Sequence, residues 1–196
     1  MAIYNTSYDA ANTAVRAFLT KIGTIYYGKT FNIGSGSGRE IWIKIKNDIF
    51  KRKCCYCGKT SDKLQVEHLI MFNRKEYGLH HPGNVVPVCS ECNKRGKNKD
   101  GKHLSWQEHL KIICQRNNDM SSFNERRKKI LDHIERGEFA YPKLAENEKH
   151  SIRVIAESLY NNIITETENS LSLYGKITKA FVDKGCNGSN RNGHLV

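Results

Sequence analysis

The sequence predicts an α+β fold, with a small strand-containing core flanked by helices on both sides. Three observations predict it. Two Cys-x-x-Cys pairs, Cys54/Cys57 and Cys89/Cys92, sit in the middle of the chain; short apolar runs of β character lie between them; and apolar residues at helical spacing fill the segments before and after. The expected division is an N-terminal helical extension (1–50), a core (51–104) and a C-terminal helical region (105–196).

In chain order, Ala11, Ala14, Val15, Phe18, Leu19 and Ile22 fall on one face of a helix that a cap at Ser7 to Asp9 would start. The run Gly34-Ser-Gly-Ser-Gly38 reads as a flexible connection; it lacks the Lys-Ser/Thr that a phosphate-cradling loop needs. Between Arg39 and Arg52, Ile41, Ile43 and Ile45 alternate like a strand, whereas Trp42, Ile45 and Ile49 fit a helical stripe, and the length favours the helix. Leu64 and Val66, extended by Leu69 and Ile70, predict a short strand. Val85, Val86 and Val88 predict a buried one, and Ser90 is a good cap for a helix beginning there.

Downstream, Trp106, Leu110 and Ile113 share a helical face. Ser122-x-x-Glu125 has the form of a capping box for a helix carrying Ile130, Leu131 and Ile134 and stopping at Gly137. Pro142 precedes a helix with Ile152, Ile155, Leu159 and Ile163. A separate amphipathic piece carries Leu173, Ile177 and Phe181, and the tail from Gly185 reads as frayed. Trp42 and Trp106 read as packing residues around the core.

The chain has 196 residues, with 32 Lys and Arg against 20 Asp and Glu, a net charge of +12. Twelve basic and five acidic residues fall between Lys51 and Lys102, so seven of those net charges lie over the core. A surplus of this size favours a polyanionic partner, because phosphates bind Lys and Arg with release of counterions. The run Arg126-Arg127-Lys128-Lys129 is read more simply as the exposed side of its helix. No apolar run reaches membrane-spanning length, and the first residues lack the basic-then-apolar pattern of a secretion signal, so membrane and secreted readings are set aside and the cytoplasm is expected.

Seven cysteines in such a chain point to metal or reactivity rather than disulfides. Random scattering would give about 0.25 Cys-x-x-Cys pairs, so two are informative. Cys54, Cys57, Cys89 and Cys92 fit a closed tetrahedral zinc site that staples a segment short of apolar core. Cys55, Cys114 and Cys186 are left as ordinary free thiols. The 31 residues between the pairs exceed what a plain zinc ribbon needs.

Within that insert the order is strand, loop, strand and presumed helix, with Glu67-His68 ending the first strand, Asn84 before the second, and Asn93 just after the last cysteine. The strings CCYCG, EHLI and NVVPVCSECN resemble the HNH (ββα-metal) endonuclease family over Cys54 to Lys99, with knuckles and motif interleaved in the family's order. Glutamate at 67 stands where aspartate is commoner, and Asn93 replaces a terminal histidine, a familiar variant.

The resemblance implies a metal-dependent endonuclease acting on DNA, with the zinc structural. His68 would be the general base. Glu67 and Asn93 would ligate magnesium or manganese, for which hard oxygen donors are suited. Asn84 would tie the loop to the backbone and keep the base oriented, and Arg95, Lys97 and Lys99 would hold flanking phosphates. His80 and His81 read as loop residues, with substrate contact or a share in the metal site as rivals. The expected substrate is double-stranded DNA. A type II restriction enzyme is the sharpest version, with a homodimer where both strands are cut; phage or anti-phage nucleases fit almost as well. A non-catalytic zinc-stapled DNA-binding module and an RNA-directed nuclease are the alternatives.

Overall fold

The computed structural model of the chain describes residues 6–187, with side chains described through Phe181. Helix α1, Ser7–Tyr27, is capped by Thr6, whose side chain accepts from the Asp9 N–H, and it closes on Gly28 in the left-handed conformation. Helix α2, Gly36–Lys44, runs on through a π-helical turn, Ile45–Ile49. The Gly-Ser run is therefore not a free connection: its second half is helical, and Gly38 is buried where a Cβ would collide with the backbone of Asn32. Glycine serves close packing there, and the helical reading of 39–52 holds as far as Ile49, after which Lys51 and Arg52 turn in the left-handed region.

Strands β1, Gln65–His68, and β2, Val85–Val88, form a two-stranded antiparallel sheet that pairs Glu67 with Val86 and His68 with Val85. A single 3-10 turn, Pro82–Asn84, leads into β2. No helix begins at Ser90; residues 93–105 form an irregular arm whose two sides pair at Lys97 and His103. The next helix, α3, is Trp106–Arg116, opened by a complete Ser105/Glu108 capping box. Helix α4, Phe123–Leu131, continues through a second π-helical turn, Asp132–Arg136, that stops at Gly137. The expected box at its start is not made: Ser122 is itself helical, the end of a 3-10 turn, and its hydroxyl donates to Asp119 at 2.7 Å without accepting from the helix. The last two predicted helices are one, α5, Glu146–Asn187. Among the described residues no helix is long and apolar enough to cross a membrane. The Cys186 side chain and the tail beyond Asn187 lie outside the described residues.

Two apolar clusters hold these elements. One gathers Phe31, Ile45 and Phe50 with Cys55, Tyr56, β2, Leu110, Ile113 and Ile130, so α2, the sheet, α3 and α4 share one core, with Trp42 and Trp106 packed at its margin. The other joins α1 to the first half of α5 through Ala11, Val15, Leu19, Ile152, Ala156 and Tyr160, and takes in Leu79 from the loop after β1. That loop joins the two clusters, running from Leu69 in the first to Leu79 in the second, and it connects His68 at the end of β1 to Asn84 before β2.

Candidate active site and zinc staple

The first knuckle is a tight turn, with the Gly58 N–H bonded to the Cys54 carbonyl and Gly58 in the left-handed region. Its Cys55 N–H donates to the Pro87 carbonyl, which fastens the knuckle to β2. In the second knuckle, the Cys92 and Asn93 N–H groups both donate to the Cys89 carbonyl. The four sulfurs of Cys54, Cys57, Cys89 and Cys92 all lie within 4.8 Å of one another. A tetrahedron with metal–sulfur bonds of about 2.3 Å has edges of about 3.8 Å. The Cys57 and Cys89 sulfurs are 3.8 Å apart. Hydrogen bonding from Cys54 and Cys92 lowers the Cys57 pKa, while hydrogen bonding within the same cluster raises those of Cys54 and Cys92. Both the donor set and its spacing fit zinc.

Along β1 successive side chains point to opposite faces, which separates Glu67 from His68. On the first face, the Glu67 carboxylate meets the Arg95 guanidinium at 2.5 Å and the Tyr56 hydroxyl at 3.5 Å. Gln65, two residues back on the same face, accepts from the Asn93 side chain at 2.8 Å, so Asn93 is brought alongside Glu67's edge of the strand. Glu67 Oε2 and Asn93 Oδ1 accept no hydrogen bond among the described residues. Oxygen donors of this kind are the type a hard divalent ion takes.

Arg95 departs from its expected place. Its side chain is only 2% exposed and donates to the Leu69 and His68 carbonyls, the Tyr56 hydroxyl and Glu67. Burial alone would weaken its charge, but Tyr56 and Glu67 more than offset this, so it remains cationic. Four acceptors converge where one guanidinium fork can reach them, and that draws it inward from the phosphate-contacting position. Lys97 and Lys99 stay exposed on the irregular arm.

On the second face, His68 stacks on Phe72, with ring centroids 4.9 Å apart, and its Nε2 lies 3.0 Å from His80 Nδ1. Burial, then the neighbouring His80 and Arg95, lowers the His68 pKa to about 3. Asn84, fully buried, holds the loop that follows. Its Nδ2 donates to the Ile70 and Leu79 carbonyls, and its Oδ1 accepts from the Ile70 N–H at 2.8 Å. His81 caps the turn before β2 by accepting from the Gly83 N–H, and packs edge-on against Tyr27 and Tyr141. The contact of His80 with His68 is what sequence reasoning missed. His80 stands twelve residues away in a loop, and only the turn made by residues 69–79 brings the two together.

Residues 54–99 match the family model described as HNH endonuclease. The matched segment opens on the first knuckle and contains Glu67, His68, Asn84, the second knuckle and Asn93, and it associates the chain with nuclease chemistry on nucleic acid. No curated protein and no solved structure matches the chain.

Proposed function

We propose, from the premise that residues 54–99 form an HNH endonuclease domain, that the chain is a metal-dependent endonuclease hydrolysing phosphodiester bonds in double-stranded DNA. The observation that carries this reading is Asn84's three-bond hold on Ile70 and Leu79, the two ends of the loop that follows His68 inside the matched segment. Hydrolysis requires a water to lose a proton as it attacks phosphorus, and His68 is the side chain assigned to accept it. Glu67 and Asn93 would hold a magnesium or manganese ion, which when bound supplies charge neutralisation at the scissile phosphate. Arg95 fixes the Glu67 carboxylate by one oxygen and leaves the other free. Lys97 and Lys99 provide mobile positive charge for phosphates beyond the cleaved bond.

A type II restriction enzyme, or a related phage or anti-phage nuclease, is the finer reading, with the helical flanks positioning DNA. Cutting both strands calls for two active sites, hence a homodimer, and the exposed Leu171, Tyr174 and Phe181 on α5 offer it apolar surface. Thiols kept as metal ligands suit a cytoplasmic setting. One observation favours a second reading. The Arg95–Glu67 ion pair already neutralises the acidic ligand, as a zinc-stapled DNA-binding module without catalysis would have it.

The test is cleavage of supercoiled and linear plasmid by zinc-loaded protein, wild type beside His68→Ala, with magnesium, with manganese or with neither. Metal-dependent cutting by wild type alone supports the nuclease, and discrete fragments would support site specificity. DNA binding without cutting under either metal moves the reading to the module.

A further inference from the structure

A cleft of about 730 Å³ opens between the loop that follows β1 and the start of α5. Ile70, whose backbone Asn84 clamps two residues after His68, is part of its wall. Three stretches far apart in sequence each bring a cation to it: Lys75 from the loop, Lys143 from the segment after Pro142, and Arg153 from α5. All three are exposed, and none makes an ion pair among the described residues. The carboxylates in the wall already have partners. Glu146 accepts from Lys149 at 2.7 Å, and Glu76 faces His103 at 3.5 Å. Uncompensated like charges in one hollow repel each other, so the ligand they favour is a polyanion.

The walls are held in place without a ligand. The Lys75 and Glu76 N–H groups both donate to Asn73 Oδ1, at 2.8 and 2.9 Å, which fixes the turn that carries Lys75. The Tyr77 hydroxyl donates to Glu157 of α5 at 2.5 Å, and the Tyr141 hydroxyl accepts from the Leu79 N–H at 3.1 Å. Arg74 lies over the Tyr160 ring, 3.9 Å from its centroid, and so ties the loop to α5 a second time. A phosphate alone would fill a small part of this space; the volume is that of pockets that enclose a nucleotide-sized ligand. Leu144 and Ile152 add apolar surface against which a sugar can pack.

We propose that this cleft is a phosphate-binding subsite, in which Lys75, Lys143 and Arg153 hold the sugar–phosphate backbone of the DNA strand that passes the active site. This rests on the nuclease reading for the identity of the polyanion; the gathering of unpaired cations is a property of the fold. The subsite continues the charge of the irregular arm, because a Cβ on Gly101 would stand 4.0 Å from Lys75 Nζ, on the arm that carries Lys97 and Lys99. It also gives the C-terminal region a part in substrate binding, since Lys143 and Arg153 lie beyond the matched segment 54–99.

The experiment measures fluorescence anisotropy of a labelled DNA duplex with the zinc-loaded full chain over a salt series, without magnesium or manganese. Wild type is set beside Lys75→Gln/Lys143→Gln/Arg153→Gln and beside a control, Lys21→Gln/Lys29→Gln/Lys111→Gln, which removes the same charge from exposed positions outside the cleft. The cleft variant should bind roughly 10-fold more weakly or worse, with the slope of log Kobs against log salt shallower by about 2 to 3. The control should lose much less of both. Equal losses in the two variants, or a wild-type slope in the cleft variant, overturn the proposal. Titration with deoxyadenosine monophosphate separates the sources of phosphate: nucleotide binding lost in the cleft variant while duplex binding is kept would make the cleft a free-nucleotide site and overturn it. Should the cleft variant not fold, acetylation of wild type decides, because duplex should protect Lys75 and Lys143 but not Lys21 and Lys29, and equal labelling overturns the proposal. Plasmid cleavage by wild type is scored separately. The expected binding losses in a chain that cuts with neither metal would retain the subsite and reject the nuclease reading.

Discussion

The Arg95 guanidinium and the Glu67 carboxylate meet at 2.5 Å with side chains only 2% and 8% exposed. Removing one member of a buried pair strands the other's charge and typically costs about 3–5 kcal/mol. Arg95→Ala should therefore lower Tm sharply. Because the freed carboxylate then has only a divalent ion to turn to, magnesium or manganese should restore part of the loss, and should do so less in Arg95→Ala/Glu67→Gln. Thermal unfolding with and without the ion checks this. A wild-type Tm in Arg95→Ala would mean that the pair is not formed in solution.

The zinc staple makes a separable prediction. The purified chain should hold about one zinc ion, with Cys92→Ser releasing it and Cys55→Ala retaining it. Cys55 is buried in the same core but is not one of the four clustered sulfurs, so the contrast isolates ligation from packing. Metal content and circular dichroism measured together decide it: loss of zinc without loss of folded signal in Cys92→Ser would show that the ion is not structural.

What could be read from sequence was local. The knuckles, both strands and Asn84's place before β2 announce themselves by spacing within a few residues. The helix expected at Ser90 fails because 93–101 is polar, carries Gly96 and Gly101, and has no apolar stripe to bury, so the helix waits for the box at Ser105. Ser122 has the right residue type for a cap, but the 3-10 turn before it puts its own backbone in the helical region, where its side chain does not reach the first turn. The inward turn of Arg95 and the meeting of His68 with His80 depend on partners 12 to 39 residues away, which no local pattern encodes.

Two glycines should respond oppositely to alanine. Gly38 packs against the Asn32 backbone, so Gly38→Ala must displace backbone and should destabilise by roughly 1–3 kcal/mol. Gly175 lies within α5 with open space where its Cβ would stand, so Gly175→Ala should stabilise by about 0.5–1 kcal/mol. Denaturant titration of both variants checks the signs.

Acid should weaken the fold through His81. Burial first, then His133 and His80, lowers its pKa to about 4, and its Nδ1 accepts from the Gly83 N–H, a bond that a protonated ring cannot make. The unfolded chain takes up this proton near the ordinary 6.5, so His81's contribution is complete above that pH and drains away as pH falls from 6.5 toward 4. The loss should be roughly 2 kcal/mol for this residue, with His133, also held neutral by burial, adding to it. His81→Asn supplies an acceptor that does not titrate in this range. Its stability, measured by denaturant at pH 7.5 and pH 5, should fall less than that of wild type; an equal fall would place the sensitivity elsewhere.

Asn84 joins the fold to the proposed chemistry most directly. Its amide gives two N–H bonds to carbonyls and takes one from the Ile70 N–H, all without exposure to water. Asn84→Asp keeps the shape but sets carboxylate oxygen against the Ile70 and Leu79 carbonyls, so like dipoles meet where a donor stood. Asn84→Ala leaves the three backbone groups without a partner, at a cost of roughly 1–3 kcal/mol for each that stays buried. Both should destabilise, and Asp more than Ala, although Asp is the closer isostere. The loop from Leu69 to Leu79 should also lose hydrogen-exchange protection before the zinc knuckles do, because the knuckles have their own staple. If His68 is the base, kcat should fall in both variants while DNA affinity holds, since none of these bonds faces outward. Uniform loss of protection across the domain would instead make Asn84 a general stabiliser rather than the clamp on the loop that follows His68.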